Sequence, residues 1–365
     1  MIYLDNGATS FPKLSPVRRA VHDALARCAN PGRGGHPASM AAAKTVYRCR
    51  ERAGRLFRCQ PEQVVFTSNC THGLNIAIRS LVKPGDRVLI SGFEHNAVTR
   101  PLYGLGAQIT VAGRKLFDWE DTLSRFEDGL KQGVKAAVFT HASNVFGYVL
   151  PVTEMSALCK QYGVPFAVDA AQSAGTEKID MAAWGADFVA MPGHKGLQGP
   201  MGTGLLLCAR MPEPLLHGGT GTDSIRQEMP EDLPERLEAG TVNVPGIAGL
   251  EAGMAWLETV GIDTIRCRET NAARRCAAGL EKLGLRVFAG PHQSGTLSFL
   301  AAGDGEELGE RLGKRGVAVR AGLHCAPLAH ESAGTLDTGT VRVSFGVRNQ
   351  PEDVGRFLEI IRGIY

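Results

Sequence analysis

Residues 186–196 read ADFVAMPGHKG, an apolar run that leads into a turn of small residues carrying one lysine. Phe188 to Ala190 has the composition of a buried strand, and Lys195 follows in the turn Gly193-His194-Lys195-Gly196. A lysine held just beyond a strand is suited to bond the aldehyde of a cofactor. Taken alone, however, a lysine in a glycine turn is more often a solvated loop residue.

A second apolar run supplies an acid at a similar place. Val168-Asp169-Ala170-Ala171-Gln172 follows the run 165–168 and presents a carboxylate where a strand gives way to a loop. Pyridoxal phosphate needs an amine that forms a Schiff base and an acid that pairs with its pyridine nitrogen. Asp169 and Lys195 together therefore predict a pyridoxal phosphate site.

Between about residue 60 and residue 210, short apolar runs alternate with helical patterns. This alternation is typical of a mostly parallel sheet covered by helices on both faces, and ligands in such sheets bind beyond the carboxyl ends of the strands. Conspicuous polar residues follow those ends: Ser68, Asn69, Thr71, His95, Asn144, Asp169, Gln172, His194 and Lys195. The apolar runs are 64–67, 87–90, 136–139, 165–168, 188–190 and 204–207.

The length of 365 residues predicts a large domain and a smaller lobe. We expect an N-terminal segment over residues 1–15 that packs with the small lobe, a large cofactor-binding domain over 16–260, and a small C-terminal domain over 261–365. Residues 211–238 lack periodicity and are predicted to wrap the surface or a partner subunit. The small domain should hold four strands and a last helix with one apolar face: 286–288, 296–299, 317–320, 340–344, and the face Val354, Phe357, Leu358 and Ile361.

Composition excludes several other classes of protein. The chain has 44% hydrophobic and 21% charged residues, and its net charge of +3 has no clustered basic stripe of the kind that nucleic-acid binding requires. Nine scattered cysteines with no C-x-x-C pair argue against a disulfide framework and a structural zinc site. No apolar run approaches the roughly 18 residues of a membrane span. We expect a cytoplasmic protein with no metal, no nucleic acid and no membrane partner.

The residues after the first strand run could hold a phosphate. Cys70 and Thr71 precede the helical pattern 74–82, and a helix N-terminus offers free N–H groups and a positive dipole end. Simple capping by Ser68 or Asn69 is the alternative. His95 could lie over a flat cofactor ring, and Gln172 and Asn144 could bond its phenolic oxygen, although each of these residue types is also common in solvated turns.

Two residues of the C-terminal part could act on a substrate. Cys325 is flanked by Arg320 and His324, and two nearby bases would favour its thiolate, the nucleophilic form. Most cysteines are packing residues, and the loop around Cys325 sets it apart. Arg342 alternates with apolar positions on a strand, so its guanidinium could bind a carboxylate in a cleft or lie on an exposed face.

In order and spacing, these segments resemble the class V aminotransferase family of fold type I pyridoxal phosphate enzymes, and within it the cysteine desulfurases and selenocysteine lyases. The similarity runs nearly end to end. The matching segments are 3–10, 30–36, 66–75, 94–96, 143–147, 169–172, 193–195, 237–241, 320–326 and 342–349. The resemblance implies an α/β fold with a mostly parallel seven-stranded sheet and a smaller α+β lobe.

The resemblance also implies a role for each site residue. Lys195 would bond the cofactor and move the substrate proton, His95 would stack on the ring, and Cys325 would be the nucleophile. Asn144 and Arg342, with Arg320 and His36, would bind the substrate. The cofactor contacts would be Cys70, Thr71, His95, Asp169, Gln172, His194 and Lys195, with Thr222 lent across a homodimer interface.

The implied function is a cysteine desulfurase that converts L-cysteine to L-alanine and leaves a persulfide on Cys325. Selenocysteine lyase and cystine or cysteine C–S lyase are alternatives within the family, and an aminotransferase or a non-catalytic phosphate-binding protein are remoter ones. Pro192 departs from the family pattern, since many relatives have a Ser or Thr there that bonds the phosphate. The short spacing from Cys325 to Arg342 resembles Suf-type enzymes, so a partner protein or a small thiol should come to the cleft for the sulfur.

Overall fold

The structure is a computed structural model that describes residues 1–32, 34–222 and 224–365; Arg33 and Asp223 lie outside the described residues. The described strands are β1 Ile2–Tyr3, β2 Val64–Thr67, β3 Arg87–Ser91, β4 Gln108–Ala112, β5 Ala136–Thr140, β6 Phe166–Asp169, β7 Phe188–Pro192, β8 Gly204–Cys208, β9 Val287–Phe288, β10 Thr296–Phe299, β11 Val317–Ala318, β12 Arg320–Gly322 and β13 Thr340–Ser344. The described helices are α1 Ser15–Arg27, α2 Pro37–Phe57, α3 Cys70–Leu81, α4 Asn96–Gly104, α5 Trp119–Lys131, α6 Val152–Gln161, α7 Met181–Trp184, α8 Val244–Val260, α9 Ile262–Lys282, α10 Gly305–Lys314, α11 Pro327–Ala333 and α12 Pro351–Arg362.

A seven-stranded sheet forms the centre of the large part of the chain. Its order is β2-β8-β7-β6-β5-β3-β4, and only β8 runs antiparallel to its neighbours. The predicted α/β class is therefore confirmed, and each of the six predicted strand runs is a strand. The edge strand β4 was not predicted, because its residues Gln108 to Val111 are partly exposed and form no apolar run.

The order of this sheet fixes where a ligand can bind. From β3 the chain crosses to β4 at one edge, and then β5, β6 and β7 follow on the other side of β3. The strand order thus reverses between β3 and β5, and crevices form outside the carboxyl ends of strands at such a reversal. The predicted site residues His95, Asn144 and Lys195 follow β3, β5 and β7, and Asp169 is the last residue of β6.

Apolar layers cover both faces of the sheet. Strands β5 to β8 are buried at every position, as expected for strands with helices on both sides. One core cluster includes Phe139, Phe166 and Leu250, and the opposite one includes Leu74 and Ile90. The strand ends are consequently held in a rigid frame.

A four-stranded antiparallel sheet, β12-β13-β10-β9, forms the C-terminal part. The predicted strand 317–320 is wrong in its extent, because the chain changes partners within it: β11 pairs with β1 in parallel, and β12 pairs with β13. Val354, Phe357 and Ile361 of α12 are buried, and Leu358 packs beside them. The N-terminal strand β1 thus contacts the C-terminal part, as we expected for the N-terminal segment. The domain bounds 1–15, 16–260 and 261–365 stay a prediction.

The described residues between 211 and 238 contain no helix or strand. Met211, Leu216 and Ile225 in this segment are exposed. In the described part of the chain, no helix is both long and apolar enough to span a membrane.

Candidate active site

A cavity with an empty volume of about 520 Å³ opens at the carboxyl ends of the central strands. Eight of the predicted residues share its wall, so the fold brings together most of the site that the sequence predicted. These residues are Cys70, Thr71, His95, Asn144, Asp169, Gln172, His194 and Lys195.

Lys195 is placed by two glycines that nothing larger can replace. A Cβ on Gly193 would lie 2.1 Å from Thr203 Oγ1, and one on Gly196 would lie 2.2 Å from Ala174 O. Burial lowers the pKa of Lys195 below its usual range, and Asp169 opposes this shift. No other described residue accepts a hydrogen bond from Lys195 Nζ, so the amine is available for chemistry.

Asp169 is the last residue of β6 and is 2% exposed. Its Oδ1 accepts hydrogen bonds from Ala171 N at 2.8 Å and from Cys70 Sγ at 3.4 Å. Within the described part of the chain, Oδ2 has no hydrogen-bond partner. One oxygen therefore fixes the carboxylate while the other remains free for a ligand.

His95 caps the N-terminus of α4 through its Nδ1, which accepts a hydrogen bond from Ala97 N at 3.0 Å. Burial lowers the pKa of His95, and an accepting Nδ1 places the proton on Nε2. The imidazole is therefore a neutral ring held by its own helix. The preceding Glu94 is fully buried, and its Oε1 accepts a hydrogen bond from Thr140 N at 2.9 Å, which ties the ends of β3 and β5 together.

The first turn of α3 has free donors. Asn69 caps the helix by accepting a hydrogen bond from His72 N at 2.9 Å. The N–H groups of Cys70 and Thr71 have no acceptor among the described residues and lie at the positive end of the helix dipole. Burial, followed by the charge of Asp169, raises the pKa of the Cys70 thiol, so Cys70 is not a candidate nucleophile.

Gln172 and Asn144 are each anchored by a side-chain hydrogen bond, and Asn144 and His194 each keep a buried polar atom without a partner among the described residues. Gln172 Nε2 donates to Gly7 O at 3.0 Å, and Asn144 Nδ2 donates to His324 O at 2.8 Å. Asn144 Oδ1 and His194 Nδ1 are buried and have no partner among the described residues. Burial lowers the pKa of His194 to about 4, so it acts as a neutral hydrogen-bonding group.

Arg342 lies behind Asn144 and not on the cavity wall. It is 3% exposed, and its Nη1 donates to Asn144 O at 2.9 Å. Its Nη2 donates to Asp5 Oδ1 at 2.9 Å, and the same carboxylate accepts from Arg320 Nη2 at 2.8 Å. Both predicted substrate arginines are thus paired with one internal acid that the sequence did not identify.

Cys325 lies exposed in the four-residue loop between β12 and α11. Its carbonyl accepts a hydrogen bond from Asn96 N at 2.8 Å, which fixes the loop beside His95. His324 and Cys325 have φ values of 50° and 55°, left-handed conformations that a side chain adopts only when its surroundings hold it. The backbone of Cys325 is therefore held in a constrained conformation beside His95 of the cavity wall.

His324 does not assist the thiol as the sequence suggested. Its ring is buried, with Nε2 at 3.1 Å from Thr340 O, and burial lowers its pKa to about 3. The expectation that His324 is a second base beside Cys325 is therefore wrong, because the imidazole is neutral and faces inward. Arg320, the first residue of β12, remains the cation near Cys325, and its pKa is raised first by a hydrogen bond to Asp5.

A family model for class V aminotransferases matches residues 2–357. The chain belongs to the class V aminotransferase family. It is 32% identical over 382 residues to a probable cysteine desulfurase of Methanothermobacter thermautotrophicus, with 100% of this chain and 95% of that protein covered. It is 33% identical to a probable cysteine desulfurase of Pyrococcus abyssi, with 99% and 93% covered.

Solved structures agree with this membership of the class V family. The apo structure of a cysteine desulfurase from Thermococcus onnurineus superposes with a TM-score of 0.92 at 32% identity, and 100% of this chain and 94% of that chain are covered. The predicted family, and the fold it implied, are therefore confirmed.

Two predicted residues of the class V site lie away from the cavity. His36 is exposed and caps α2 by accepting a hydrogen bond from Ser39 N at 3.4 Å, and neighbouring Arg33 is outside the described residues. Thr222 is exposed, and its Oγ1 lies 3.0 Å from Thr220 Oγ1. Their roles stay predictions, and that of Thr222 needs a second subunit.

Sequence reasoning missed Asp5 and Glu94. Both stand in segments that carried the resemblance to the class V family, but neither follows a strand of the central sheet in a way that points to a ligand. Arg320 and Arg342 could have indicated Asp5, because two arginines that lie near each other need a negatively charged partner. For Glu94 the only signal was its position beside His95.

Proposed function

We propose that this class V family member is a pyridoxal phosphate-dependent cysteine desulfurase, which removes sulfur from L-cysteine to give L-alanine and a persulfide on Cys325. The observation that carries the proposal is the exposed thiol of Cys325, tied through its carbonyl to Asn96 beside the cavity of Lys195. An aminotransferase needs no such thiol. The names of the relatives at about 30% identity support the same activity.

The atoms left free around the cavity fit pyridoxal phosphate. Lys195 would bond the aldehyde, and the free Oδ2 of Asp169 would pair with the pyridine nitrogen. The first-turn N–H groups of Cys70 and Thr71 would hold the phosphate. His194, on the same cavity wall, has a buried Nδ1 without a hydrogen-bond partner among the described residues. A bound ligand would supply that hydrogen bond.

The residues of the chain then divide the work. When bound, the cofactor would supply an electron sink at the substrate α-carbon. Burial lowers the pKa of Lys195, so its Nζ would accept the α-proton. Arg342 would orient the substrate by binding the substrate carboxylate. Cys325 thiolate would attack the substrate sulfur, so that an S–S bond forms and the Cβ–S bond breaks. The electron pair stays with Cβ, which would take a proton, and Lys195 Nζ would return the α-proton to Cα to complete L-alanine.

The length of the Cys325 loop indicates how the sulfur leaves. Four residues separate β12 from α11, and Ala326 N donates to Leu323 O at 2.9 Å inside this loop. A persulfide on so short a tether cannot travel far from the cleft. We therefore propose that an acceptor protein or a small thiol approaches the cavity to receive the sulfur.

We also propose a reducing compartment, the cytoplasm, for this enzyme. All nine cysteines are free, and five of them are buried. Burial raises the pKa of Cys59 and of Cys159 to about 12, so these thiols stay protonated and unreactive.

Two variants test the activity. Lys195→Ala should lose the near-visible absorbance of the bound cofactor, together with all alanine release. Cys325→Ala should keep that absorbance and lose persulfide formation from L-cysteine. Cys267→Ala, which removes the other exposed cysteine, is the matched control and should behave like the wild type. Unchanged sulfide release in Cys325→Ala would exclude the persulfide mechanism and favour a simple eliminating lyase.

A further inference from the structure

Asp5 is the shared partner of two arginines that face each other. Arg320 and Arg342 are register partners on the adjacent antiparallel strands β12 and β13, where two like charges opposite one another are unfavourable. The Asp5 carboxylate lies between them, with Arg342 Nη2 at 2.9 Å from Oδ1 and Arg320 Nη2 at 2.8 Å from Oδ2. Arg320 Nε is a second donor to Oδ2, at 3.2 Å.

The N-terminal segment is built to hold this carboxylate in place. Asp5 is 8% exposed, and its backbone forms a parallel bridge with Ser344, two residues beyond Arg342. Gly7 N donates to Ser344 Oγ at 2.7 Å. A Cβ on Gly7 would lie 3.3 Å from Arg342 Cζ, so the backbone of Gly7 packs directly against the guanidinium. Asp5 therefore has one defined position relative to both cations.

The three charges lie within reach of the reacting groups. The charge of Arg342 lowers the pKa of Lys195 and of His95, and the charge of Asp5 raises that of Lys195. Arg320 also interacts with Cys325, which contributes to raising the pKa of the guanidinium. Arg320 thus interacts with both Asp5 and Cys325, and Cys325 is the residue that would attack the substrate sulfur under the proposed function.

We propose that Asp5 is a positioning and specificity-determining residue, which orients Arg342 and neutralises Arg320. As a result, the site binds amino acids with a single carboxylate and rejects those with a second acidic group. The proposal rests on the proposed function, because it takes Arg342 as the group that binds the substrate carboxylate. Two arginines and one aspartate leave one unit of positive charge, which matches one carboxylate. The other charged side chains of the cavity wall, Lys195 and Asp169, would be engaged by the cofactor and are the same in every variant.

The charge count makes a prediction that a purely structural role for Asp5 does not. Replacing Asp5 by Asn keeps the shape of the side chain and raises the local charge by one unit. Arg320 then becomes available to a second acidic group placed near Cys325. L-aspartate has such a group where L-cysteine has sulfur, whereas L-alanine has none, so the ratio of their affinities measures the discrimination.

The test is calorimetric titration of the cofactor-saturated protein with L-alanine and with L-aspartate. The wild type should prefer L-alanine. D5N should shift the affinity ratio toward L-aspartate by about tenfold, because one unit charge acting over several ångströms in a partly buried site has an effect of that order. The double variant D5N/R320Q restores one net positive charge and should return the ratio toward that of the wild type.

Each outcome decides the proposal. An unchanged ratio in D5N, or a double variant that keeps the D5N ratio, would overturn it. If D5N does not fold, R320Q alone removes one positive charge and should move the ratio the opposite way, toward L-alanine; no movement would again overturn the proposal. Binding is measured without turnover, so a wild type that releases no alanine from L-cysteine would refute the proposed function and leave the role of Asp5 decided by the ratios.

Discussion

At the scale of single residues, burial decides which histidines of this protein carry charge. His194, His324 and His330 all have pKa values lowered by burial, to about 4, about 3 and about 4. They are therefore neutral at physiological pH and serve as hydrogen-bonding groups. The positive charge near Cys325 comes from Arg320 and Arg342 instead.

His141 provides a pH test of this principle. It is 6% exposed, it packs edge-on against Trp184 at 5.1 Å, and burial lowers its pKa to about 4. Between about pH 6.5 and pH 4, the unfolded chain binds a proton that the folded chain refuses, so the stability that His141 contributes above pH 6.5 is lost as the pH falls. The loss amounts to at most about 3 kcal/mol.

His141→Phe should remove this loss. As the pH falls from 7 to 4, we expect the difference in the free energy of unfolding, variant minus wild type, to rise by up to about 3 kcal/mol. Urea unfolding at a series of pH values measures it. His22→Phe, at an exposed histidine, is the control and should follow the wild type. Parallel pH profiles for His141→Phe and the wild type would contradict the prediction.

Pro192 should weaken the hold on the cofactor phosphate. It ends β7 opposite Gly204 and lines the cavity without a hydroxyl. Pro192→Ser should lower the dissociation constant for pyridoxal phosphate about fivefold, the effect of one added hydrogen bond of about 1 kcal/mol. Absorbance titration of the apo protein measures this constant. Pro192→Ala frees the backbone without adding a hydroxyl, and equal constants for the two variants would exclude the explanation.

At the scale of elements, one buried ion pair fastens the irregular segment to the central sheet. Arg50 of α2 pairs with Glu238, and both side chains are 8% exposed. Glu238 Oε1 accepts a hydrogen bond from Phe66 N at 2.7 Å, and the Arg50 guanidinium lies 4.4 Å from the Phe66 ring centroid. A segment without regular structure thus gains a fixed end next to β2.

Breaking this pair should be costly. Arg50→Met leaves the Glu238 carboxylate buried without its cation, and we expect a loss of about 3–5 kcal/mol in the free energy of unfolding. The double variant Arg50→Met/Glu238→Met should recover most of that loss, because neither charge remains. Arg55→Met, on the exposed side of the same helix, should cost less than about 1 kcal/mol. Urea unfolding of the four proteins decides the matter, and a small loss in Arg50→Met would contradict it.

At the scale of the whole molecule, the site draws on both ends of the chain. The N-terminal strand β1 pairs with β11, and this pairing brings Asp5 to Arg320 and Arg342. The cavity itself lies at the strand ends of the large sheet. The N-terminal segment therefore links the cavity wall to the C-terminal sheet, since Gly7 O accepts a hydrogen bond from Gln172 Nε2 and Gly7 N donates one to Ser344 Oγ.

The exposed apolar residues of the segment 211–238 predict a homodimer. Met211, Leu216 and Ile225 are 53%, 55% and 93% exposed, and a dimer interface formed by this segment would bury them together as one apolar patch. Light scattering should give twice the monomer mass, and Ile225→Asp should shift the protein toward the monomer. Thr222→Ala should keep the dimer and weaken binding of pyridoxal phosphate. A monomeric wild type, or unchanged cofactor affinity in Thr222→Ala, would refute the role of Thr222 across the interface.

The sequence by itself determined the fold class, the central strands except β4, and most of the cavity wall, because each of these follows from local patterns. Apolar runs mark buried strands, and the polar residues that follow them meet at one edge of a parallel sheet. Lys195 and Asp169 could be identified as a pair for that reason alone. The division of 317–320 between two sheets had no local signal, since both halves have strand composition.

Only the tertiary structure decided the charge state and pairing of the residues around Cys325. The inward orientation of His324 depends on burial, which neighbours distant in the chain create. The pairing of Asp5 with Arg320 and Arg342 joins residues more than 300 positions apart, and no periodicity in the sequence can encode such a contact. Local patterns thus place side chains at strand ends, whereas the packing of separate parts of the chain sets their electrostatics.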